Sequence, residues 1–121
     1  MEEEHMHKQL DVWQKAMVLV TNIYTLTKQF PLDEKFGLTN QICRASVSIP
    51  SNIAEGAARQ TNKELIQFLY ISLGSASEVE TQLLIAQNLN YIDSIDNVYN
   101  DLQSIKRMLI GLIKSKQAKE S

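Results

Sequence analysis

Apolar residues recur at alternating steps of three and four positions along four long stretches of the chain. This spacing is typical of amphipathic helices, because it places the apolar side chains on one face. The four sets are, in chain order, Leu10, Trp13, Met17, Val20, Tyr24 and Thr27; Leu38, Ile42, Ala45, Ile49 and Ile53; Leu65, Leu69, Ser72, Ala76, Val79, Leu83 and Ala86; Ile95, Val98, Leu102, Ile105, Leu109 and Leu112. Since short connections make consecutive helices antiparallel, the pattern predicts an all-α, antiparallel up-down-up-down four-helix bundle.

The residue types at the ends of these stretches predict where the helices begin and end. We expect Asp11 to cap the first helix and Asp93 the fourth. Phe30, which precedes Pro31, ends the first helix, because a residue before proline resists the helical conformation. The segment 61–64, Thr-Asn-Lys-Glu, matches a capping box and therefore begins the third helix.

The second helix is predicted over residues 33–59 and contains a proline, Pro50. A proline inside a helix removes one backbone hydrogen bond and crowds the carbonyl of the preceding turn, here that of Ser46. We therefore expect a kink near Pro50, with a break into two helices as the alternative.

The first helix carries a second apolar set at the same spacing, about one position out of phase with the first. Its members are Val12, Ala16, Leu19, Ile23, Leu26 and Phe30. Either the helix has one wide stripe inside a single bundle, or it has two buried faces, one of them at a subunit interface. Long exposed apolar patches are rare on monomers, so self-association is a serious alternative.

Composition and length limit the remaining possibilities. The chain has 121 residues, of which 44% are hydrophobic and 21% charged, values typical of a globular protein. We predict one domain over residues 9–116, between a mobile N-terminal tail, 1–8, and a C-terminal tail, 117–121. No apolar run has the length of a membrane span, and the start of the chain is acidic, so we expect a cytoplasmic protein.

The residues that usually perform catalysis or hold metals are scarce. The two histidines, His5 and His7, lie in the predicted tail, and Cys43 is the single cysteine. Di-metal sites of four-helix bundles need Glu-x-x-His pairs, and no predicted helix contains a histidine. We therefore predict no catalytic residue, no metal, no cofactor and no enzymatic activity.

The second helix also carries a polar stripe. Its members follow one another at steps of three or four positions: Arg44, Ser48, Asn52, Glu55 and Arg59. The stripe is either a solvated face or part of a hydrogen-bonded network between helices or subunits. Arg44, Asn52 and Glu55 are the candidates for that network, because small apolar neighbours around Asn52 and Glu55 suit close packing.

Charge is distributed unevenly, although the net charge is only −2. Residues 65–105 contain five acids and no Lys or Arg, whereas residues 106–121 contain five bases and one acid. Antiparallel folding brings the end of the fourth helix toward the end of the second and the start of the third, so one end of the bundle is basic. The candidate nucleic-acid-binding residues are Arg59, Lys63, Lys106, Arg107, Lys114, Lys116 and Lys119. The alternative is that these charges only complement the helix dipoles.

The segment 44–56, Arg-Ala-Ser-Val-Ser-Ile-Pro-Ser-Asn-Ile-Ala-Glu-Gly, followed by Arg59, resembles the signature of a known family. This family comprises four-helix-bundle proteins encoded in intervening sequences of bacterial 23S ribosomal RNA genes. Further matching pieces occur in the same order over residues 8–113: the heptapeptide at 10–16, Phe30 and Pro31, 36–38, Gln41 and Ile42, Gly74 and Ser75, and Glu78.

The resemblance implies a small non-enzymatic bundle that assembles as a homopentamer and is associated with ribosomal RNA or a ribonucleoprotein. Similar bundles are accessory proteins of diversity-generating retroelements, in which a basic pentamer supports a reverse transcriptase and its RNA template. The alternative function is thus a protein-interaction scaffold, for example an accessory subunit of a reverse transcriptase. RNA, a protein partner and further copies of the chain are the expected partners, and a membrane is not.

Overall fold

The computed structural model describes His7 and residues 10–120, without the side chain of Glu120. The predicted tail 1–8 therefore lies outside the described residues except for His7. The described part is all-α. Its four long helices are α1 (Asp11–Leu26), α2 (Leu38–Ala57), α3 (Asn62–Asn88) and α4 (Asp96–Glu120), with short 3₁₀ turns at Thr27–Gln29 and Leu32–Glu34 between α1 and α2.

Contacts between the helices give the predicted up-down-up-down order. Along α2 and α3, Ser72 bonds to Ile49 and Gly56 lies against Phe68, so the two helices run in opposite directions. Glu80 bonds to Lys106 and Tyr70 to Gln117, which makes α3 and α4 antiparallel as well. The fourth helix also packs against α1 and closes the bundle.

The apolar sets predicted for α2, α3 and α4 face the core. The fully buried large side chains of these helices include Ile42, Ile49, Ile53, Leu69, Leu83, Leu102, Ile105 and Leu109. In α1 the second, out-of-phase set is the buried one: Val12, Ala16, Leu19, Ile23, Leu26 and, just beyond the helix, Phe30. Of the first set, Met17 and Tyr24 are exposed. The wide apolar surface of α1 therefore has one face in the core and one face outside it.

Two of the predicted helix ends are confirmed. The Thr61 hydroxyl accepts a hydrogen bond from the Glu64 backbone N–H at 3.2 Å, as the capping box requires. The Glu64 carboxylate, expected on the Thr61 amide, instead accepts the Thr61 hydroxyl proton at 3.1 Å. Phe30 is extended ahead of Pro31 and ends the 3₁₀ continuation of α1.

Asp11 and Asp93 do not cap helices, contrary to the prediction. Leu10 occupies the N-cap position of α1 with no side-chain cap, and Asp11 lies in the first turn, where its charge complements the helix dipole. The fourth helix begins three residues after Asp93, and the Ser94 hydroxyl accepts the Asp96 N–H at 3.3 Å. A serine reaches the exposed amide here, so an Asp just before an apolar run does not by itself locate a helix start.

The second helix begins at Leu38, not at Asp33. Residues 32–34 form a 3₁₀ turn, and Glu34 Oε1 accepts the Leu38 N–H at 3.0 Å, so this carboxylate satisfies one of the first free amides of α2. The helix is continuous through Pro50 to Ala57, which rules out the break into two helices. The kink near Pro50 stays a prediction.

The turn between α3 and α4 depends on Asn90, whose φ of 61° is left-handed. The Asn90 N–H donates to the Gln87 carbonyl and the Tyr91 N–H to the Ala86 carbonyl, each at 3.0 Å. These two bonds form a Schellman motif, in which asparagine takes the position usually held by glycine.

The fourth helix then continues to Glu120, past Lys116, where we expected the domain to end. No helix of the described chain combines the length and apolar character of a membrane span.

Gly56 allows α2 and α3 to approach each other closely. A Cβ at this position would lie 2.8 Å from the Phe68 Cβ and 3.0 Å from the Leu65 Cδ1. We expect Gly56→Ala to lower the free energy of unfolding by about 1–3 kcal/mol, because the two helices must separate. At Gly111, where nothing lies within 4 Å of an added Cβ, alanine should instead raise it, by up to about 1 kcal/mol. Urea denaturation of both variants tests this, and equal effects would contradict it.

Candidate nucleic-acid interface

Basic side chains from three helices meet at one end of the bundle. The end of α2 is held beside the start of α3, since the Arg59 guanidinium lies 4.8 Å from the centre of the Phe68 ring. The end of α4 lies beside the same part of α3, since Gln117 Nε2 donates to the Tyr70 hydroxyl at 3.3 Å. We call this surface the basic end. Its members are Arg59, Lys63, Lys114, Lys116 and Lys119, all exposed except the half-buried Lys116.

Lys106, a candidate from the sequence, does not belong to the basic end. Its Nζ lies 2.6 Å from Glu80 Oε1, and each of the two side chains is only 23% exposed. The same carboxylate accepts the Tyr99 hydroxyl at 3.3 Å, and the hydrogen bond from Lys106 lowers the Glu80 pKa below its usual 4.5. The lysine charge is thus paired within the protein. Arg107, the next residue, is exposed. It lies seven residues, or roughly 10 Å, along α4 from Lys114 and is therefore also outside the basic end.

The opposite end of the bundle is acidic in net charge, although the exposed Lys28 and Lys35 also lie there. The end of α1 lies beside the start of α4, and Asp33, Glu34, Asp93 and Asp96 gather near this junction. The Tyr91 hydroxyl donates to Glu34 Oε2 at 2.7 Å. Hydrogen bonds from the Leu38 amide and from the Tyr91 hydroxyl lower the Glu34 pKa. The hydrogen bond between Tyr91 and Glu34 also raises the pKa of Tyr91. The predicted charge polarity of the bundle is therefore present.

Of the three residues predicted to form a polar network, the structure places one in such a network. Asn52 Nδ2 donates to the Ser48 carbonyl at 2.8 Å and to the Ser48 hydroxyl at 2.9 Å. Ser75 of α3 donates to that hydroxyl at 2.8 Å, which links the stripe to the next helix. Glu55 instead lies 3.8 Å from Arg59 on the surface, its side chain 55% exposed. Arg44 is exposed and joins no polar network among the described residues.

An open apolar cleft lies between α1 and α2, on the face of α1 that is turned away from the core. Its volume is about 410 Å³, and its apolar lining includes Trp13, Met17, Val20, Val47 and Pro50. The His7 ring packs edge-on against Trp13, with the ring centres 5.1 Å apart. The apolar surface formed by the first set of α1 therefore extends across the cleft onto α2.

The described residues offer little for catalysis. Cys43 is buried beside Thr27, and burial raises the pKa of its thiol, which disfavours the reactive thiolate. No three His, Cys, Asp or Glu side chains lie together in the described part of the chain in a way that could hold a metal ion. His5 lies outside the described residues.

The comparison with known proteins agrees with the fold. The model of the 23S rRNA-intervening sequence protein family matches residues 8–111. The chain belongs to this family. A solved structure of a protein of unknown function from the S23 ribosomal protein family of Bacteroides thetaiotaomicron is 29% identical, with a TM-score of 0.77, and the match covers 85% of this chain and 98% of that one. No curated protein matches the chain.

Two features of this intervening-sequence protein were missed from its sequence. Glu80 lies 26 residues from Lys106 on another helix, so no local pattern pairs them. Tyr70 lies seven residues after Lys63, two helical turns away on the same face of α3. That spacing is a usable signal, since it places an aromatic ring on the same helix face as a base, with uncharged residues between them on that face.

The position of Asn52 predicts a difference in stability within the polar stripe. We expect Asn52→Ala to lower the free energy of unfolding by about 1–2 kcal/mol relative to Asn100→Ala, an exposed asparagine of α4 that controls for helix propensity. Glu55→Ala should change it by no more than about 0.5 kcal/mol, because its ion pair is exposed. Urea denaturation measures all three. A larger loss for Glu55 than for Asn52 would place the network elsewhere.

Proposed function

We propose that this protein is a non-enzymatic, cytoplasmic homo-oligomer that associates with RNA, ribosomal RNA being the first candidate, through its basic end. The observation that carries the proposal is the gathering of five bases at that end. Nothing acidic interrupts residues 102–119 on the α4 side of this surface. Membership of the intervening-sequence family supports the choice of RNA as the polyanion.

Helix dipoles account for only part of this charge arrangement. Lys114, Lys116 and Lys119 lie near the C-terminus of α4, where a cation is favoured without any ligand. Lys63, however, lies in the first turn of α3, where the dipole disfavours a positive charge. A lysine at that position, next to the lysines of α4, favours a surface for an anionic partner.

The outer face of α1 supports self-association. Met17 is 44% and Val47 40% exposed, and both line the cleft between α1 and α2. An apolar surface of this extent is best covered by a second copy of the chain, and the family resemblance implies five copies. Repetition of the basic end around such an assembly multiplies weak phosphate contacts into higher avidity.

The first test of the proposal concerns charge. The logarithm of the affinity for a short single-stranded RNA should fall linearly with the logarithm of the salt concentration. The slope should be about −0.7 for each phosphate contacted. The double variant Lys63→Glu, Lys114→Glu should weaken binding to all RNA sequences and flatten this slope. Fluorescence anisotropy measures both quantities.

A double variant at the opposite end provides the control. Lys28→Glu with Lys35→Glu makes the same change in net charge on exposed residues far from the basic end, so RNA affinity should change little. Equal losses in the two double variants would mean that net charge, not the basic end, governs binding. If the unaltered protein binds neither single-stranded nor structured ribosomal RNA, the RNA function is wrong and the scaffold function becomes the better hypothesis.

The second test concerns the oligomer. Light scattering should report a mass several times the 13.8 kDa of one chain. Met17→Glu with Val47→Glu should lower that mass, because two charges would be buried in an apolar interface. Leu84→Glu on α3, a residue of similar exposure outside the cleft, should leave it unchanged. A monomeric unaltered protein would contradict the proposal.

A further inference from the structure

A groove runs between α3 and α4 at the basic end. Its volume is about 430 Å³, and it is lined by Lys63, Ile66, Gln67, Tyr70 and Gln117. The four α3 residues share one face of the helix, because they are spaced at three, four and seven positions from Lys63. The groove therefore combines a base, an aromatic ring and two amides in one depression.

Tyr70 is hydrogen-bonded through its hydroxyl and is half exposed to solvent. Its hydroxyl accepts a hydrogen bond from Gln117 Nε2 at 3.3 Å, yet half of the residue, 50%, remains exposed. An aromatic side chain fixed by its polar tip and open to solvent has the properties of a stacking platform.

The charged residues around the groove are mainly lysines, and the acid Glu64, next to Lys63 in the first turn of α3, bonds to Thr61. Residues 65–77 of α3 and 102–119 of α4 contain no acid. Lys63 lies about 10 Å along the helix axis from Tyr70, and Lys114 lies one turn before Gln117 on α4. A ring with lysines on both sides suits a ligand that alternates anionic and aromatic groups.

We propose that this groove binds an unpaired nucleotide of RNA, with its base stacked on Tyr70, its edge toward Gln67 and Gln117, and the neighbouring phosphates at Lys63 and Lys114. This inference rests on the proposed RNA association and adds its preferred substrate, single-stranded RNA. A duplex keeps its base faces stacked inside, so only unpaired bases can reach the ring.

The site is compatible with self-association. In the order of the bundle, α1 and α2 form one side and α3 and α4 the other, so the groove opens away from the α1–α2 cleft. Each copy in an oligomer joined through that cleft presents its own groove to solvent.

The test compares ligands that have phosphates with and without bases. Short oligo(A) and inorganic polyphosphate are titrated at low salt into the full chain and its Tyr70→Leu, Tyr70→Phe and Phe36→Leu variants. Tyr70→Leu should weaken oligo(A) binding by roughly 5- to 150-fold, the value of one base stack, and leave polyphosphate binding unchanged. Tyr70→Phe keeps the ring but loses the bond from Gln117, and it should bind oligo(A) more tightly than Tyr70→Leu. Phe36→Leu is the control, because this aromatic residue is exposed, at 86%, and precedes α2 at the opposite end of the bundle.

A second measurement needs no variant. Ultraviolet crosslinking of an oligonucleotide that contains 4-thiouridine, followed by mass spectrometry, should place the adduct on α3 at Tyr70. Adducts confined to other segments would overturn the site, as would unchanged oligo(A) affinity in Tyr70→Leu while the lysine variants lose binding. If the unaltered protein binds neither oligo(A) nor polyphosphate, the RNA function itself is wrong. A poly(Glu) peptide that binds as tightly as oligo(A), and depends on Tyr70, would make the occupant an acidic protein segment.

Discussion

The close approach of α2 and α3 is the constraint on which the rest of the bundle depends. Gly56 has no side chain to hold Leu65 and Phe68 away, and Ser72 donates to the Ile49 carbonyl at 2.9 Å in the middle of the interface. Small and hydroxyl-bearing residues thus lie among the large apolar ones where these two helices meet, and each buried hydroxyl needs a partner. The same approach places the end of α2 against the start of α3, and this brings Arg59 and Lys63 to one surface.

The fourth helix completes that surface because the turn before it is sharply defined. Asn90 reverses the chain within a few residues, and α4 then runs back along α3. The half-buried pair of Glu80 and Lys106 fixes the register of α3 against α4 near their middle. Tyr70 and Gln117 make a second contact closer to the basic end. The position of the lysines after Lys106 is therefore a consequence of packing and helix length.

The fold could be predicted from the sequence because the period of the apolar residues is long and regular in all four helices. Two sets of equal spacing in α1 cannot be told apart by period alone, so the choice between Val12 and Trp13 as the inward-facing residue depended on packing against α2 and α4. Helix starts were less predictable: Asp93 and Ser94 are both good capping residues, and only the path of the turn decides between them.

The candidate site was predictable to the extent that it follows from topology. Antiparallel order alone brings Lys63 and Lys114 to the same end, whereas the pairing of Lys106 depends on which side of α4 faces Glu80. Arg44 and Glu55 share their spacing with Asn52, yet of the three only Asn52 bonds to Ser48, whose hydroxyl also accepts a hydrogen bond from Ser75 of α3. Spacing identifies residues that share a helix face, but the neighbouring helix decides what that face contacts.

The acidic net charge does not oppose the proposed role, because salt screens electrostatic interactions over distances shorter than the length of the bundle. The 27 residues of α3 span roughly 40 Å, and the Debye length at physiological salt is about 8 Å. Phosphates at the basic end are therefore screened from Asp33, Asp93 and Asp96 at the other end. Under the proposed function, an RNA at this end would meet the local charge of Lys63 and the α4 lysines, repeated once for each copy in an assembly. The acids at the far end would oppose binding there, so the charge polarity that makes the net charge uninformative also selects the basic end as the side on which the proposed RNA would bind.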